Sequence, residues 1–495
     1  MPTRLPLWVL TLCVLTLHAP TLAPSHAQTP RPSDAPTGKH PNIVLITGDH
    51  LGALHIGAHG QPHMRTPVLD RLVAEGTTFR RFYTAGVACM PNRASLFTGR
   101  WPHSHGVIQN GIPLPEEEIT LTHVLAHAGY VTGQMGKLHF LPHDESVRNH
   151  RAPHPPFGFM EMRMSDEPGC YEDDYGRWLS AQGPEVREKA RVGMPGTRTP
   201  LDYYTFAGED RTTHAAWVAG ETVDFIRRHA KGNRPFFVHA GFYAPHPPLN
   251  PPASRLALYD GVAFPPRKVK DGELDLLPPG YRETAKKFEK FTETDWTAYR
   301  KHFYAMVSEL DRRVGEIVEA LRAAGVLDRT LVVVTSDHGD YLGAHGLVGK
   351  SDFVYEEVMN IPLILRGPGM PAGKSSDALA SVVDLTPTLL ALAGGVAPPP
   401  GVQGVSLVPA LSGKSVRGEV LMEGPRMRMV RTPEAKYAVY EGGDEVLFDL
   451  AKDPDEFRNS AADAAAKPLL DAMRQRLIGA WIGTADPLPA KIAPY

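Results

Sequence analysis

Asn42-Ile43-Val44-Leu45-Ile46-Thr47-Gly48-Asp49-His50 is the stretch that decides the fold. After Asn42, the residues Ile43 to Ile46 form a solid apolar run, and Asp49 and His50 follow almost at once. A short run without polar alternation suits a strand covered on both faces, as in a parallel sheet. Residues 331–335 (LVVVT) and 236–240 (FFVHA) read the same way. Helical patterns lie between these strands. Thr66 and Pro67 open one, with Val68, Leu69, Leu72 and Val73 on its apolar face, Thr66 as its expected cap and Gly76 as its expected stop. Thr120 opens a second, carrying Leu121, Val124 and Leu125. A third, over about 299–324, places Phe303, Val307, Leu310, Val314, Ile317 and Leu321 on one stripe. Strands alternating with helices predict an α/β fold, a three-layer α/β/α sandwich around a large, mostly parallel central sheet.

The rest of the chain reads differently. Residues 141–210 and 245–298 are rich in Pro, Gly and charge, and read as long surface excursions that shape a substrate pocket. Beyond residue 413, short strands at 429–432, 437–440 and 446–449 and a helix near 467–481 predict a smaller C-terminal α+β subdomain with a short antiparallel sheet. The expected domains are therefore 41–413 and 414–495. Residues 1–27 combine Arg4, an apolar run over 5–17 and Ser25-His26-Ala27, the pattern of a signal peptide cleaved near Ala27. Residues 28–40 read as a linker, and the expected location is secreted or periplasmic. The apolar run is too short to span a membrane. A net charge of -3, from 52 Lys+Arg and 55 Asp+Glu, excludes the electrostatic footprint of a nucleic-acid binder. With 42% hydrophobic residues the chain can fill a core, and 3 Cys in 495 residues exclude a disulfide scaffold. Cleavage would remove Cys13 and leave Cys89 and Cys170.

The chemistry-bearing residues fall just past strands. Asp49 and His50 follow the first, Asp337 and His338 follow residues 331–335, and His246 follows residues 236–240. Open α/β sheets bind ligands beyond the carboxyl ends of their strands, so these residues should converge at one edge. Carboxylates and imidazoles together suit a divalent cation, although either Asp-His pair alone could be an ordinary loop feature. Cys89 stands where a helix should start, with Pro91 in its first turn, Arg93 one turn on and Gly99 as its stop. Such a start favours negative charge. The residues alone leave open a buried core cysteine or a disulfide to Cys170. His103, His123, His127 and His302 read as surface or structural, Glu116-Glu117-Glu118 as support for a helix start, and Tyr171, Tyr175 and Trp178 as packing.

Cys89-Met90-Pro91-Asn92-Arg93 resembles C-x-P-x-R, the core signature of type I sulfatases in the alkaline phosphatase superfamily. Residues 129–139 (GYVTGQMGKLH), 41–46 (PNIVLI), 336–339 (SDHG) and the tail from Phe448 to Asn459 resemble the same family, in order, over about 41–460. The resemblance implies a sulfuric ester hydrolase, alkaline phosphatase-like in fold, acting on a sulfated small molecule or glycan. It implies 3-oxoalanine (formylglycine) made from Cys89 by a formylglycine-generating enzyme. Asp49, His50, Asp337 and His338, with the modified Cys89, match metal ligands; His50 stands where sulfatases usually place a second Asp. Calcium is the family's ion, with manganese or zinc the alternatives in a site this rich in imidazole. Arg93, Lys137, His139, His246 and Lys350 match residues lining the sulfate pocket. The implied mechanism has a hydroxyl of the hydrated aldehyde attack sulfur with Asp337 as base. His246 then protonates the leaving alcohol, and His139 assists release of sulfate. Asn92 departs from the usual Ser. The rival readings are a phosphonate monoester or phosphodiester hydrolase of the same superfamily and a non-catalytic periplasmic anion- or glycan-binding protein.

Overall fold

The computed structural model describes residues 40–61, 63–142, 154–168, 173–191 and 201–488. The expected signal peptide, the linker up to residue 39, and Cys170 with Tyr171 lie outside the described residues. Among the described residues, nine strands form the large sheet: β1 (Asn42–Gly48), β2 (Thr77–Tyr83), β3 (Val131–Gly136), β4 (Glu161–Met164), β5 (Phe236–Gly241), β6 (Thr330–Ser336), β7 (Asn360–Arg366), β8 (Lys374–Ser376) and β9 (Ala380–Ser381). Their order is β4-β3-β5-β1-β6-β7-β2-β8, with β9 also on β2. β1 runs parallel to both neighbours, pairing Thr47 with Gly241 and Gly48 with Ser336. β7 is antiparallel to β6 and to β2, so β2 again points the same way as β1. The carboxyl ends of β1, β2, β3, β5 and β6 therefore share one edge.

The solid apolar run of β1 has a direct cause. Val44 and Ile46 enter a core layer with the helices His214–His229 and Glu293–Ala323, while Ile43 and Leu45 enter another with the helices Cys89–Thr98 and Leu385–Leu392. All four are 0% exposed, and burying each contributes about 1.5–3 kcal/mol. Both faces of residues 43–46 are therefore covered by core, and the polar residues of the strand, Asn42 and Thr47, stand at its two ends.

A second sheet of four antiparallel strands, β10 (Val420–Gly424), β11 (Met427–Arg431), β12 (Ala435–Tyr440) and β13 (Glu445–Asp449), carries the helix Lys467–Gly483. It buttresses the segment leading to Cys89. The Glu423 N–H donates to the Ala85 carbonyl at 3.0 Å, and the Glu423 carboxylate pairs with His103 Nδ1 at 2.8 Å. His103 is thus structural.

Several expected details differ. Thr66 does not cap the helix Pro67–Glu75 with its hydroxyl, which instead donates to Asp70 Oδ1. The carboxylate of Asp311, on the long helix, accepts from Val68 N at 3.1 Å and Leu69 N at 2.7 Å. Gly76 is extended rather than left-handed, and a Cβ there would meet the Leu365 carbonyl at 2.3 Å; close strand approach explains it. The excursion at 141–210 is more than surface loop. It supplies edge strand β4, whose sequence EMRM shows no strand pattern, and the helices Asp174–Gln182 and Pro184–Arg191. The long helix starts at Glu293, earlier than its apolar stripe, because Thr292 and Asp295 form a capping box. Glu118 pairs with Arg100 rather than supporting a helix start.

Candidate active site

Four strand ends and one helix start build the site. Cys89 begins the helix Cys89–Thr98, in which every residue is buried. Asn92 explains why the preceding segment holds its shape. Its Oδ1 accepts from Ala85 N and Gly86 N, both at 2.8 Å, and its Nδ2 donates to the carbonyls of Gly86 at 2.8 Å and Ala88 at 3.0 Å. Every hydrogen-bonding position of that amide is used. Gly99 ends the helix in the left-handed conformation, as expected.

Lys137 reaches the site because β3 and β5 touch at their ends. A Cβ on Gly136 would lie 2.2 Å from the Gly241 carbonyl oxygen, and one on Gly241 would lie 1.9 Å from the Lys137 carbonyl oxygen. Only glycine permits this approach, which the Lys137 N–H seals by donating to the Gly241 carbonyl at 2.7 Å. Lys137 Nζ then lies 2.6 Å from Asp49 Oδ2 and 5.0 Å above the ring of Tyr243.

The structure brings Asp49, His50, Cys89, Arg93, Lys137, His246, Asp337, His338 and Lys350 together. Arg93 Nε donates to Asp337 Oδ2 at 2.8 Å. Lys350 Nζ bridges Cys89 Sγ at 2.9 Å and His50 Nε2 at 3.0 Å. His338 Nε2 lies 3.2 Å from Cys89 Sγ, and the His50 ring packs against those of His246 and His338 at 4.3 and 4.4 Å. His139 is buried two residues past Lys137, at a φ of 57°, and its N–H donates to Asp166 Oδ1 at 3.0 Å.

Burial governs the electrostatics. It opposes the charge of Asp49, but Lys137, Lys350 and Arg93 outweigh it and hold the carboxyl well below its usual range. Burial, with Asp49 alongside, pushes the Cys89 thiol up to about 11 despite Lys350. Burial also holds His50 and His246 well below the usual imidazole value, with Lys350 pushing the same way. Burial thus works against the imidazolium that the expected role of His246 as the acid requires.

The donor set fits a divalent cation. Oxygens of Asp49 and Asp337, Cys89 Sγ and a nitrogen of His338 lie within 4.8 Å of one another. His338 Nδ1 contacts the Gly339 carbonyl at 2.9 Å, so that nitrogen carries the proton and Nε2 is an acceptor. Nε2 nonetheless faces Asp49 Oδ1 at 3.6 Å, two lone pairs opposed, with the Cys89 thiol, 3.2 Å from Nε2 and 3.8 Å from Oδ1, offering a single hydrogen to the two of them. A cation resolves that opposition. His50 falls instead in a second group with Asp49 and His246.

Three residues escaped the sequence reading. Asp340 holds His50 Nδ1 at 2.9 Å, Asp166 anchors the turn after Lys137, and Tyr243 packs between Lys137 and His246. Asp340 could have been found, since it follows His338 by two residues in the same post-strand segment. Asp166 follows the unrecognised β4. The two excursions meet around a cavity lined by Tyr175, Phe206, His214, Tyr243 and Asn250. Tyr175 also packs as expected, its hydroxyl donating to the Thr212 carbonyl at 2.6 Å.

The sandwich and its polar edge define a member of the alkaline phosphatase superfamily. A model of the family described as Sulfatase matches residues 41–396, and one described as N-sulphoglucosamine sulphohydrolase, C-terminal, matches residues 343–481. The chain belongs to the sulfatase family. It is 28% identical to an arylsulfatase of Clostridium perfringens over 88% of this chain and 94% of that protein. It is 30% identical to a choline-sulfatase of Rhizobium meliloti over 86% and 83%. The crystal structure of a phosphonate monoester hydrolase of Agrobacterium radiobacter superposes with a TM-score of 0.79 at 27% identity, covering 91% of this chain and 97% of that one. Among the described residues, no helix is long and apolar enough to cross a membrane.

Proposed function

We propose that this chain is an exported sulfatase that hydrolyses a sulfate ester to an alcohol and inorganic sulfate, using formylglycine made from Cys89. The observation that carries this reading is the state of Cys89. It is 1% exposed, its thiol is raised to about 11, and Lys350 touches its sulfur at 2.9 Å while Lys137 and Arg93 act on it electrostatically. An unmodified thiol there is neutral and a weak nucleophile, so the arrangement makes sense for a residue that does not stay cysteine. The hydrated aldehyde would supply two hydroxyls on one carbon, one to attack and one to release the product. A divalent cation held by Asp49, Asp337, His338 and the modified Cys89, calcium in the first instance with manganese or zinc as alternatives, would supply Lewis acidity. It would also supply net charge, because Asp49, Asp337 and Asp340 already offset Arg93, Lys137 and Lys350.

The remaining work falls to side chains. Lys137 and Lys350 face the anion, in a buried setting where such charges act strongly. Arg93 is held by Asp337 at Nε and by the Lys137 carbonyl at Nη1, and its Nη2, 3.7 Å from Asp49, is the group left to face the anion. His246 gives the leaving oxygen its proton once the ester has neutralised the local positive field, and His139 assists the second proton transfer. The alcohol would extend toward Tyr243 and the excursions.

The test is mass spectrometry of the Cys89 peptide from protein co-expressed with a formylglycine-generating enzyme, with kinetics on an aryl sulfate. An aldehyde or its hydrate and sulfate release are expected; an intact thiol with no turnover refutes the reading. The structural match to a phosphonate monoester hydrolase favours one second reading, hydrolysis of a phosphonate monoester or phosphodiester. A large preference for an aryl phosphonate over the sulfate would establish it.

A further inference from the structure

We infer that Asp340 is the positioning residue for Lys350, which it holds from both ends: at the backbone directly, and at the ammonium through His50. Asp340 is 0% exposed and touches none of the reacting positions itself. Its Oδ1 accepts from Leu342 N at 2.8 Å and from Gly349 N at 3.0 Å, which closes the loop immediately before Lys350. Its Oδ2 lies 2.9 Å from His50 Nδ1. Lys350 Nζ, 3.0 Å from His50 Nε2, can only donate, so Nε2 must accept and the hydrogen on the Asp340 contact belongs to His50 Nδ1. The same ammonium reaches Cys89 Sγ at 2.9 Å. Asp340, His50, Lys350 and Cys89 thus form one chain of contacts, in which the ammonium of Lys350 sets the proton position on His50.

Each link needs the residue type present. Three N–H donors converge on Asp340, and a carboxylate offers two oxygens that only accept. Asparagine offers one oxygen and an NH2 group, so it must turn a donor toward either His50 or the loop. Turned toward His50, that donor would select the opposite imidazole tautomer, placing an N–H against the Lys350 ammonium. His50 itself sits at a φ of 71°, a backbone conformation that non-glycine residues adopt only when held.

The first measurement needs no variant and no turnover. The 15N shifts of metal-free wild-type protein at neutral pH should show His50 protonated at Nδ1 and bare at Nε2; the reverse tautomer overturns the inference. This arm stands apart from the proposed sulfatase activity, on which the kinetic arm rests. In the kinetic arm, Asp340→Asn should lower kcat/KM by about tenfold to a hundredfold, the usual cost of losing a residue that orients a ligand-facing imidazole. Its KM for the anionic ester should rise as Lys350 loses its place. In a Lys350→Ala background the same substitution should cost less than about twofold, because nothing remains for it to position. Equal losses in both backgrounds would show a general structural role and overturn the inference, as would unchanged kinetics in Asp340→Asn. If no ester is turned over, the proposed function fails and the tautomer alone decides.

Discussion

Replacing Gly241 with alanine should disable the site from one strand away. The new Cβ would lie 1.9 Å from the Lys137 carbonyl oxygen, where real Cβ atoms essentially never come closer than 3.0 Å. The ends of β3 and β5 must part by about 1.1 Å, the difference between those distances. Overpacking of this kind costs about 1–3 kcal/mol of stability. The larger effect is on geometry, because the contact that gives way carries Lys137, whose ammonium lies 2.6 Å from Asp49. A displacement of about 1 Å at a catalytic group costs on the order of a hundredfold in rate. The assay is kcat/KM on an aryl sulfate beside a denaturation curve. Gly220→Ala serves as the control, since a Cβ there meets nothing within 4 Å on an exposed helix face, and it should stabilise by about 0.5–1 kcal/mol. Gly241→Ala with wild-type kcat/KM would refute the claim that this contact places Lys137.

Other outcomes follow from the same contacts. Cys89→Ser should yield no aldehyde by mass spectrometry and lose more than about 10^3-fold in turnover, over 4 kcal/mol of barrier; retained activity would show that the residue is not the nucleophile's source. Asp311→Ala uncaps the helix Pro67–Glu75 and should lower the unfolding free energy by about 0.5–2 kcal/mol with no change in KM. His345 is buried, which disfavours its charge, yet Glu273 and Glu357 outweigh burial and raise its pKa above the unfolded 6.5. Its stabilising contribution is full below 6.5 and is lost as pH rises through the folded value, so stability should decline as pH is raised above 6.5. His345→Asn should flatten that slope, as read by denaturant midpoints across pH.

What the sequence disclosed follows the strength of the local signal. β1, β5 and β6 are buried on both faces and so appear as unbroken apolar runs. β3 and β4 do not: β3 carries Gly133, Gln134 and Gly136, where close packing and a buried hydrogen-bond network replace apolar side chains. β2 reads TTFRRFY because Arg80 and Arg81 lie where the strand reaches the surface. The site residues were legible where they directly follow a strong strand, as with Asp49, His50, Asp337 and His338. Residues that act through another residue carry no such mark. Asp340 and Asp166 look like loop acids until their partners, 290 and 28 positions away, are placed beside them. The Thr66 expectation failed for the same reason, since the group that caps that helix is Asp311, more than two hundred residues on.

The burial of Cys89 sets an order of events. At 1% exposure, inside a helix start clamped by Asn92, its sulfur offers a second protein nothing to grasp once the chain has closed around it. On the proposed function, oxidation has to come first and folding second. A molecule that folds too soon is sealed with its thiol intact, well packed but permanently idle. Stability and activity are then separate fates of one polypeptide, and the fraction of active molecules in any preparation measures a race between two rates during synthesis.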